Sequence, residues 1–503
     1  MPPLTNLVVA AIAAAGLARA APLAKPSDCN VVQRWVKQSG QTVQWGPCSD
    51  RFPDTLTCAT FRVPLDWNNI EGHKNETIEL GMVRREAEDK ARRIGYLFIN
   101  PGGPGGQATS IVAGLGDRLD SEIRARFDII GLDPRGVGIS TPVQCDPELY
   151  NKRVKYMPTT EEEYAALVQY NQDLGASCLE KTGPLVRYVD TINAVKDHEA
   201  VRVALGEKAS FLGLSYGTQL FTQYAERFPD SFRAIALDGN LQHSQSESSN
   251  LLIESTAYEA TLKEFFDWCA SADECALQGK DVAAVFTSVR DDASAAPIPA
   301  PGCDDVSCRS DLTEEDLLFT VQGLVISTRS WPALGQGLLD ASNGNATILS
   351  SANSIALGSA YEDSLLYAGT AIGCQDWAHA STSLTDLVEK QNLGSTFSPL
   401  TLGACQSYKL QTSCIGWPAP LSNPPAPVTY KGKKELLMVN SLFDPSTSYA
   451  WALGLKSEVK NAVLLTRNGS GHTSYTLGGD TTRLTNAYLL NLTLPEPGTI
   501  TQS

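Results

Sequence analysis

Short apolar runs of β-favouring residues alternate with amphipathic stretches through the first half of the chain. Residues 94–100, 127–132, 210–214 and 233–237 carry too few polar side chains for a half-exposed strand. Three of these runs stop at Pro101-Gly102-Gly103, Asp133-Pro134-Arg135-Gly136 and Asp238-Gly239. That pattern predicts short strands buried on both faces. Residues 57–67 and 77–85 precede them as an antiparallel lead-in, and 191–205 and 219–228 read as intervening helices. The alternation indicates an α/β architecture with a doubly wound, mostly parallel sheet.

The alternation lapses between about residues 242 and 425. Residues 251–270 and 314–327 read as helical there, 295–302 are rich in Pro and Ala, and strand-like runs return only at 435–440 and 462–466. The predicted organisation is a leader at 1–20, a first core part at 21–241, a helical cap at 242–425, and a return to the core at 426–503. A helical insertion over a parallel sheet is expected to build the substrate pocket.

Composition narrows the compartment and the ligand. An apolar run from Leu7 to Leu17 ends in Ala18-Arg19-Ala20, the small-residue pattern of a secretory signal cleaved after Ala20, and it is too short to span a bilayer. The expected product is secreted, without a membrane anchor. A formal net charge of −16 argues against nucleic acid as a partner. None of the twelve cysteines shows Cys-x-x-Cys spacing, so disulfides are expected and no metal or cofactor is. Cys48–Cys58, Cys269–Cys275 and Cys303–Cys308 suit short loops and Cys145–Cys178 a longer one, while the pairing of Cys29, Cys374, Cys405 and Cys414 stays open. Asn75, Asn345 and Asn491 are candidate glycosylation acceptors; Asn468 also fits the pattern but would crowd His472.

The candidate chemistry starts at Gly213-Leu214-Ser215-Tyr216-Gly217. By itself this pattern is weak, but a strand precedes it and a helix follows, the setting in which a sharp turn lifts a serine hydroxyl clear of a sheet. The same turn aims the helix N-terminus, with the Tyr216 amide, at a developing oxyanion. Serine needs a base, and the order in this turn type is serine, acid, histidine. Of the three histidines after Ser215, His243 and His379 fall at or inside the cap, whereas His472 stands in a Gly-rich turn after the last predicted strand. Asp444, after the preceding strand, is the expected acid; Asp238, in an Asp-Gly turn, is its rival. The loop Asn100-Pro101-Gly102-Gly103-Pro104-Gly105-Gly106 suits oxyanion binding and lacks the Lys of a phosphate loop.

These motifs, with Leu132-Asp-Pro-Arg-Gly-Val-Gly-Ile-Ser140, Cys374-Gln-Asp-Trp377 and Cys414-Ile-Gly-Trp417, resemble the prolyl/tripeptidyl aminopeptidase branch of the α/β-hydrolases. The resemblance covers most of residues 50–480 and is thin over 280–360. It implies an α/β-hydrolase fold, a Ser215–Asp444–His472 triad, the amides of Gly103 and Tyr216 as oxyanion donors, and removal of short fragments from peptides with free N-termini. One departure stands out: where the family often has Thr-Pro soon after the acid, this chain has Pro445-Ser446-Thr447-Ser448. Similar layouts also occur in carboxylesterases, so a secreted esterase or lactone-type hydrolase is the second expectation and a non-catalytic binding protein the third. An aminopeptidase needs an anionic pocket for the substrate ammonium. Glu254, Glu259, Glu264 and Asp267 share one predicted cap helix and could provide it; a solvated acidic face is the alternative reading.

Overall fold

The computed structural model describes residues 27–502 apart from 74, 75 and 354. The expected leader and the acceptor Asn75 lie outside the described residues. The main sheet has ten strands: β1 (Gly46–Pro47), β2 (Thr57–Pro64), β3 (Thr77–Arg85), β4 (Gly95–Asn100), β5 (Phe127–Leu132), β6 (Ala209–Leu214), β7 (Phe232–Asp238), β8 (Leu436–Phe443), β9 (Ala462–Ser470) and β10 (Ile500–Gln502). Their order is β1-β2-β3-β5-β4-β6-β7-β8-β9-β10. Neighbours from β5 through β10 pair in parallel, and β1, β2 and β3 form the antiparallel edge.

The pleat explains the burial. Leu97, Ile99, Ile129, Leu212, Ala234 and Leu437 enter one apolar cluster, while Phe98, Ile130, Phe211 and Ile235 enter another on the opposite face. With helices on both faces, these strands have no wet side, which accounts for their unbroken apolar runs.

Five helices concern the site: α1 (Tyr216–Arg227), α2 (Glu247–Ser271), α3 (Glu314–Val325), α4 (Ser364–Asp376) and α5 (Gln406–Ser413). The first begins three residues earlier than its apolar pattern suggested, because it starts directly at the turn after β6. The other four lie in the chain between β7 and β8; α2, α3 and α5 share a core around Tyr258, Leu262, Phe265, Leu317, Val321 and Tyr408, whereas Tyr367, Ala371 and Ile372 of α4 pack into the main core of the sheet. All four expected disulfides are formed, and a fifth joins Cys374 to Cys414. Cys29 and Cys405 remain as thiols. No helix among the described residues is long and apolar enough to cross a membrane.

From β4 the chain runs outward to β5, then returns to lay β6 on the other side of β4. This reversal opens a crevice at the carboxyl ends of β4 and β6, the place where open parallel sheets bind ligands. Asn100 ends one of these strands and Leu214 the other.

Candidate active site

Ser215 follows β6 directly and adopts φ 58°, ψ −126°, a conformation costly for a residue with a Cβ. Its amide donates to the Asp238 carbonyl at 2.9 Å, and its carbonyl accepts from the Thr218 amide at 2.8 Å and hydroxyl at 2.7 Å. Glycine is required on both sides. A methyl on Gly213 would overlap the Gly217 carbonyl, and one on Gly217 would stand 2.8 Å from the Asn100 carbonyl oxygen.

The Gly-rich loop after β4 lies against this turn. A methyl on Gly102 would stand 2.5 Å from the Leu214 carbonyl oxygen and 2.8 Å from the Tyr216 amide nitrogen. The Gly102 amide donates to the Asn100 side chain at 2.9 Å, and the Gly106 amide closes the loop on the Gly102 carbonyl at 3.0 Å. Gly103, at φ 110°, follows on the cleft wall, and Tyr216 opens α1 beside Ser215.

Asp444, after β8, and His472, after β9, meet although 28 residues separate them. The imidazole Nδ1 lies 2.9 and 3.0 Å from the two Asp444 oxygens. Asp444 also accepts from the Ser446 amide at 3.0 Å, the Thr447 amide at 2.7 Å and the Thr447 hydroxyl at 2.9 Å. Burial pushes the Asp444 carboxyl up, but the adjacent imidazole and these donors outweigh it and hold it below the usual range. For His472 burial works downward, and the charge and hydrogen bond of Asp444 reverse it, leaving the imidazole above its ordinary value. Ser215 and His472 face the same cavity of about 530 Å³, which is also lined by Gly102, Gly103, Glu254 and Trp377. A larger cavity of about 750 Å³ shares Pro101 and Gly106 with it but contains none of Ser215, Asp444 and His472.

The rival acid has another partner set. Asp238 Oδ2 accepts the Ser474 and Tyr475 amides, both at 2.7 Å, and so fixes the loop just beyond His472. Burial raises its carboxyl to about 6. On the other side of that loop, Arg467 donates to the Ser470 and Gly471 carbonyls at 3.0 Å and to the Ser474 hydroxyl at 2.9 Å. His243 is buried, with Nε2 2.7 Å from the Asp376 carbonyl, and His379 sits 3.0 Å from the Trp377 carbonyl.

Residues 96–301 match the family described as alpha/beta hydrolase fold, and residues 398–501 match the one described as TAP-like protein. The chain has the α/β-hydrolase fold, with a C-terminal region similar to TAP-like proteins. It is 27% identical over 483 residues to "Serine protease Hip1" of Mycobacterium tuberculosis (strain ATCC 25618 / H37Rv), covering 91% of each chain. Over 455 residues it is 27% identical to "Tripeptidyl aminopeptidase" of Streptomyces lividans, covering 85% of this chain and 80% of that one. "Carboxylesterase B" of Mycobacterium tuberculosis (strain CDC 1551 / Oshkosh) is 27% identical over 451 residues, with 86% and 84% covered. The chain is thus a serine hydrolase, akin to enzymes named for peptide and for ester substrates.

The four acids of α2 divide between the two readings: Glu254 and Glu259 are buried on its packed side, whereas Asp267 is exposed and Glu264 partly so. Of the four acids named from sequence, only Glu254 lines the cleft. Its Oε1 accepts from the Gln322 side chain at 2.9 Å and the Gln406 amide at 3.1 Å; its Oε2 accepts from the Ser407 amide at 2.9 Å and from the Ser407 hydroxyl. Burial raises it to about 7. Glu259 instead takes Lys263 at 2.8 Å and the Leu400 amide at 2.9 Å.

Sequence reasoning missed Thr447, whose hydroxyl lies 3.2 Å from His472 Nδ1 as well as on Asp444. The altered segment after the acid was its only signal. Asn345 and Asn491 are exposed, as is Asn468, whose side chain donates to Gln502 at 2.9 Å.

Proposed function

We propose that this hydrolase is a secreted serine exopeptidase that frees short fragments from peptide N-termini by acyl transfer. The observation that carries the reading is the Asp444–His472 pair facing, with Ser215, a cleft whose wall holds the buried carboxylate of Glu254. In this mechanism His472 takes the Ser215 proton while Asp444 holds the imidazole with Nδ1–H toward itself. The Gly102 amide is occupied by Asn100, so the Gly103 and Tyr216 amides bind the oxyanion. The protonated imidazole then gives its proton to the leaving amine, and water, deprotonated by His472, releases the acyl group. Glu254 receives the substrate ammonium, whose charge favours the ionised carboxylate.

The leader pattern and five disulfides support an oxidising compartment, and the mature chain is expected to begin at Ala21. Amino-terminal sequencing of the secreted product checks this.

A second reading, a secreted carboxylesterase, draws on Glu254 as well. Both of its oxygens already accept protein hydrogen bonds and burial raises it to about 7, so its protonated form can border a neutral substrate. One panel separates the two: chromogenic tripeptidyl and aminoacyl amides, the same amides acetylated at the N-terminus, and short-chain aryl esters, each against Ser215→Ala. The exopeptidase loses turnover on acetylation. Ester turnover without amide cleavage overturns that reading, and any turnover surviving Ser215→Ala overturns the nucleophile.

A further inference from the structure

The catalytic cleft does not end at the wall formed by α5. Gln406 and Leu410 on that helix, with Leu365 at the start of α4, line the cleft and also a chamber of about 180 Å³ behind it. Tyr150, Tyr156 and Lys409 line that chamber and in turn a third one of about 440 Å³. The three spaces share walls and lie in series behind α5, with Leu365 between the first two and against Gly103.

The outer chamber is richer in cations than the molecule as a whole. The chain carries 56 Asp and Glu against 40 Lys and Arg, yet five cations gather on the outer chamber: Lys152, Arg153, Lys155, Arg309 and Lys409. Most acids nearby are committed. Asp316 pairs with Arg153 at 2.9 Å, Glu163 pairs with Lys155 at 3.0 Å, and Glu315 accepts the Tyr156 and Met157 amides, both at 2.9 Å. Burial raises Glu315 to about 7, so much of its charge is lost at neutral pH. Glu314 also borders the chamber and balances at most one cation.

Lys409 and Arg309 have no carboxylate partner among the described ion pairs. The Lys409 ammonium lies 5.1 Å from the Tyr156 ring centre and 5.3 Å from that of Phe319, between two aromatic faces and the open chamber. Arg309 spends one donor on the Asn151 carbonyl at 3.0 Å. An ammonium and a guanidinium lining the outermost of these spaces have the chemistry to receive an anion, and the planar fork suits a carboxylate.

We propose that the spaces behind α5 join into a passage and that Lys409 and Arg309 form a subsite there for a carboxylate of the substrate. It rests on the reading of Ser215 as the nucleophile, and in the exopeptidase it selects peptides with an acidic group at one fixed remove from the scissile bond. The carboxylate comes from an Asp or Glu side chain or from the free C-terminus of a short peptide.

The test uses the full-length enzyme and unblocked peptides that differ only by Glu, Gln or Lys, stepped through successive positions. A matched set ends in carboxylate or carboxamide. At one position, or at the C-terminus alone, the carboxylate raises kcat/KM over its neutral isostere by about tenfold to a hundredfold, as for a charge-assisted bond. In Lys409→Met, and further in Lys409→Met with Arg309→Gln, this ratio falls toward one with no loss of melting temperature. Equal rates for Glu and Gln at every position, and for both C-termini, overturn the proposal, as does a variant that slows both members of a pair alike. If the wild-type enzyme cleaves no amide, the exopeptidase reading has failed separately. Aryl half-esters of dicarboxylic acids of increasing length, against the matching mono-acid esters, then read the same ratio.

Discussion

Three groups crowd the inner nitrogen of His472: the two Asp444 oxygens and the Thr447 hydroxyl. Since Asp444 lifts the imidazole above its ordinary value of about 6.5, and the base must start neutral, kcat/KM is expected to fall with acid through a limb lying above that value. Asp444→Asn removes the support while burial remains. It should cut kcat by about 10⁴-fold and move the limb to lower pH, both read from a pH–rate profile. The signs for stability follow the same pair. The raised imidazole stabilises the fold below its unfolded value and loses this as pH rises through the folded one; the depressed carboxyl stabilises above its unfolded value and loses this as pH falls. The pair therefore contributes most between about pH 4 and 6.5, where denaturant titration of Asp444→Asn should show its greatest loss. Asp238→Asn should behave differently, loosening the Ser474–Tyr475 loop and lowering the melting temperature more than it lowers kcat at neutral pH. Thr447→Val leaves the backbone of its turn in place but removes one donor to the carboxylate, and about tenfold in kcat is the expected cost.

At the scale of elements, the turn after β6 and the loop after β4 are one unit. Gly102 touches the carbonyl before Ser215, and Gly217 touches the carbonyl of Asn100, so neither can move alone. Gly102→Ala should lower kcat about a hundredfold or more with little change in KM, because the damage falls on the oxyanion and not on substrate contacts. The Asp133-Pro134-Arg135 turn after β5 serves the fold instead. Arg135 is fully buried, donates to Asp197 at 2.7 Å through both Nε and Nη2, and ties down the carbonyls of Pro64, Leu65 and Tyr188. Arg135→Leu strands Asp197 and should cost about 3–5 kcal/mol by denaturant titration, while folded enzyme keeps its rate. These elements were legible because they obey local rules: a buried strand has no polar positions, and a strained turn needs glycine. The pairing of Asp444 with His472 was legible too, since adjacent parallel strands end side by side. The insertion was not. The acids of α2 occur on both its packed and its wet side, so the sequence could not tell the buried Glu254 and Glu259 from the exposed Asp267; the burying neighbours are distant in sequence. Thr447 escaped for a related reason, because a hydroxyl in a turn carries no periodic signal.

Over the whole molecule, strand ends of the sheet carry Ser215, Asp444 and His472, and the helices between β7 and β8 close the space above them. Glu254 on α2 and Gln322 on α3 meet there, and Gln322 also donates to the Pro445 carbonyl at 3.0 Å, next to Asp444. Gln322→Leu should leave Glu254 short of a donor in a buried place. Its carboxyl then titrates higher still, and turnover of free-amine peptides is expected to drop more than turnover of neutral aryl esters, measured side by side. The backbone makes a second bridge of this kind. The His472 amide donates to the carbonyl of Ile326 at 2.7 Å, and Ile326 directly follows α3. The His472 imidazole is thus held from above by the chain between β7 and β8. A graft that swaps this insertion for a relative's inherits a tolerance on that one carbonyl, and new specificity can be written into the roof only by designs that keep this strut at its length.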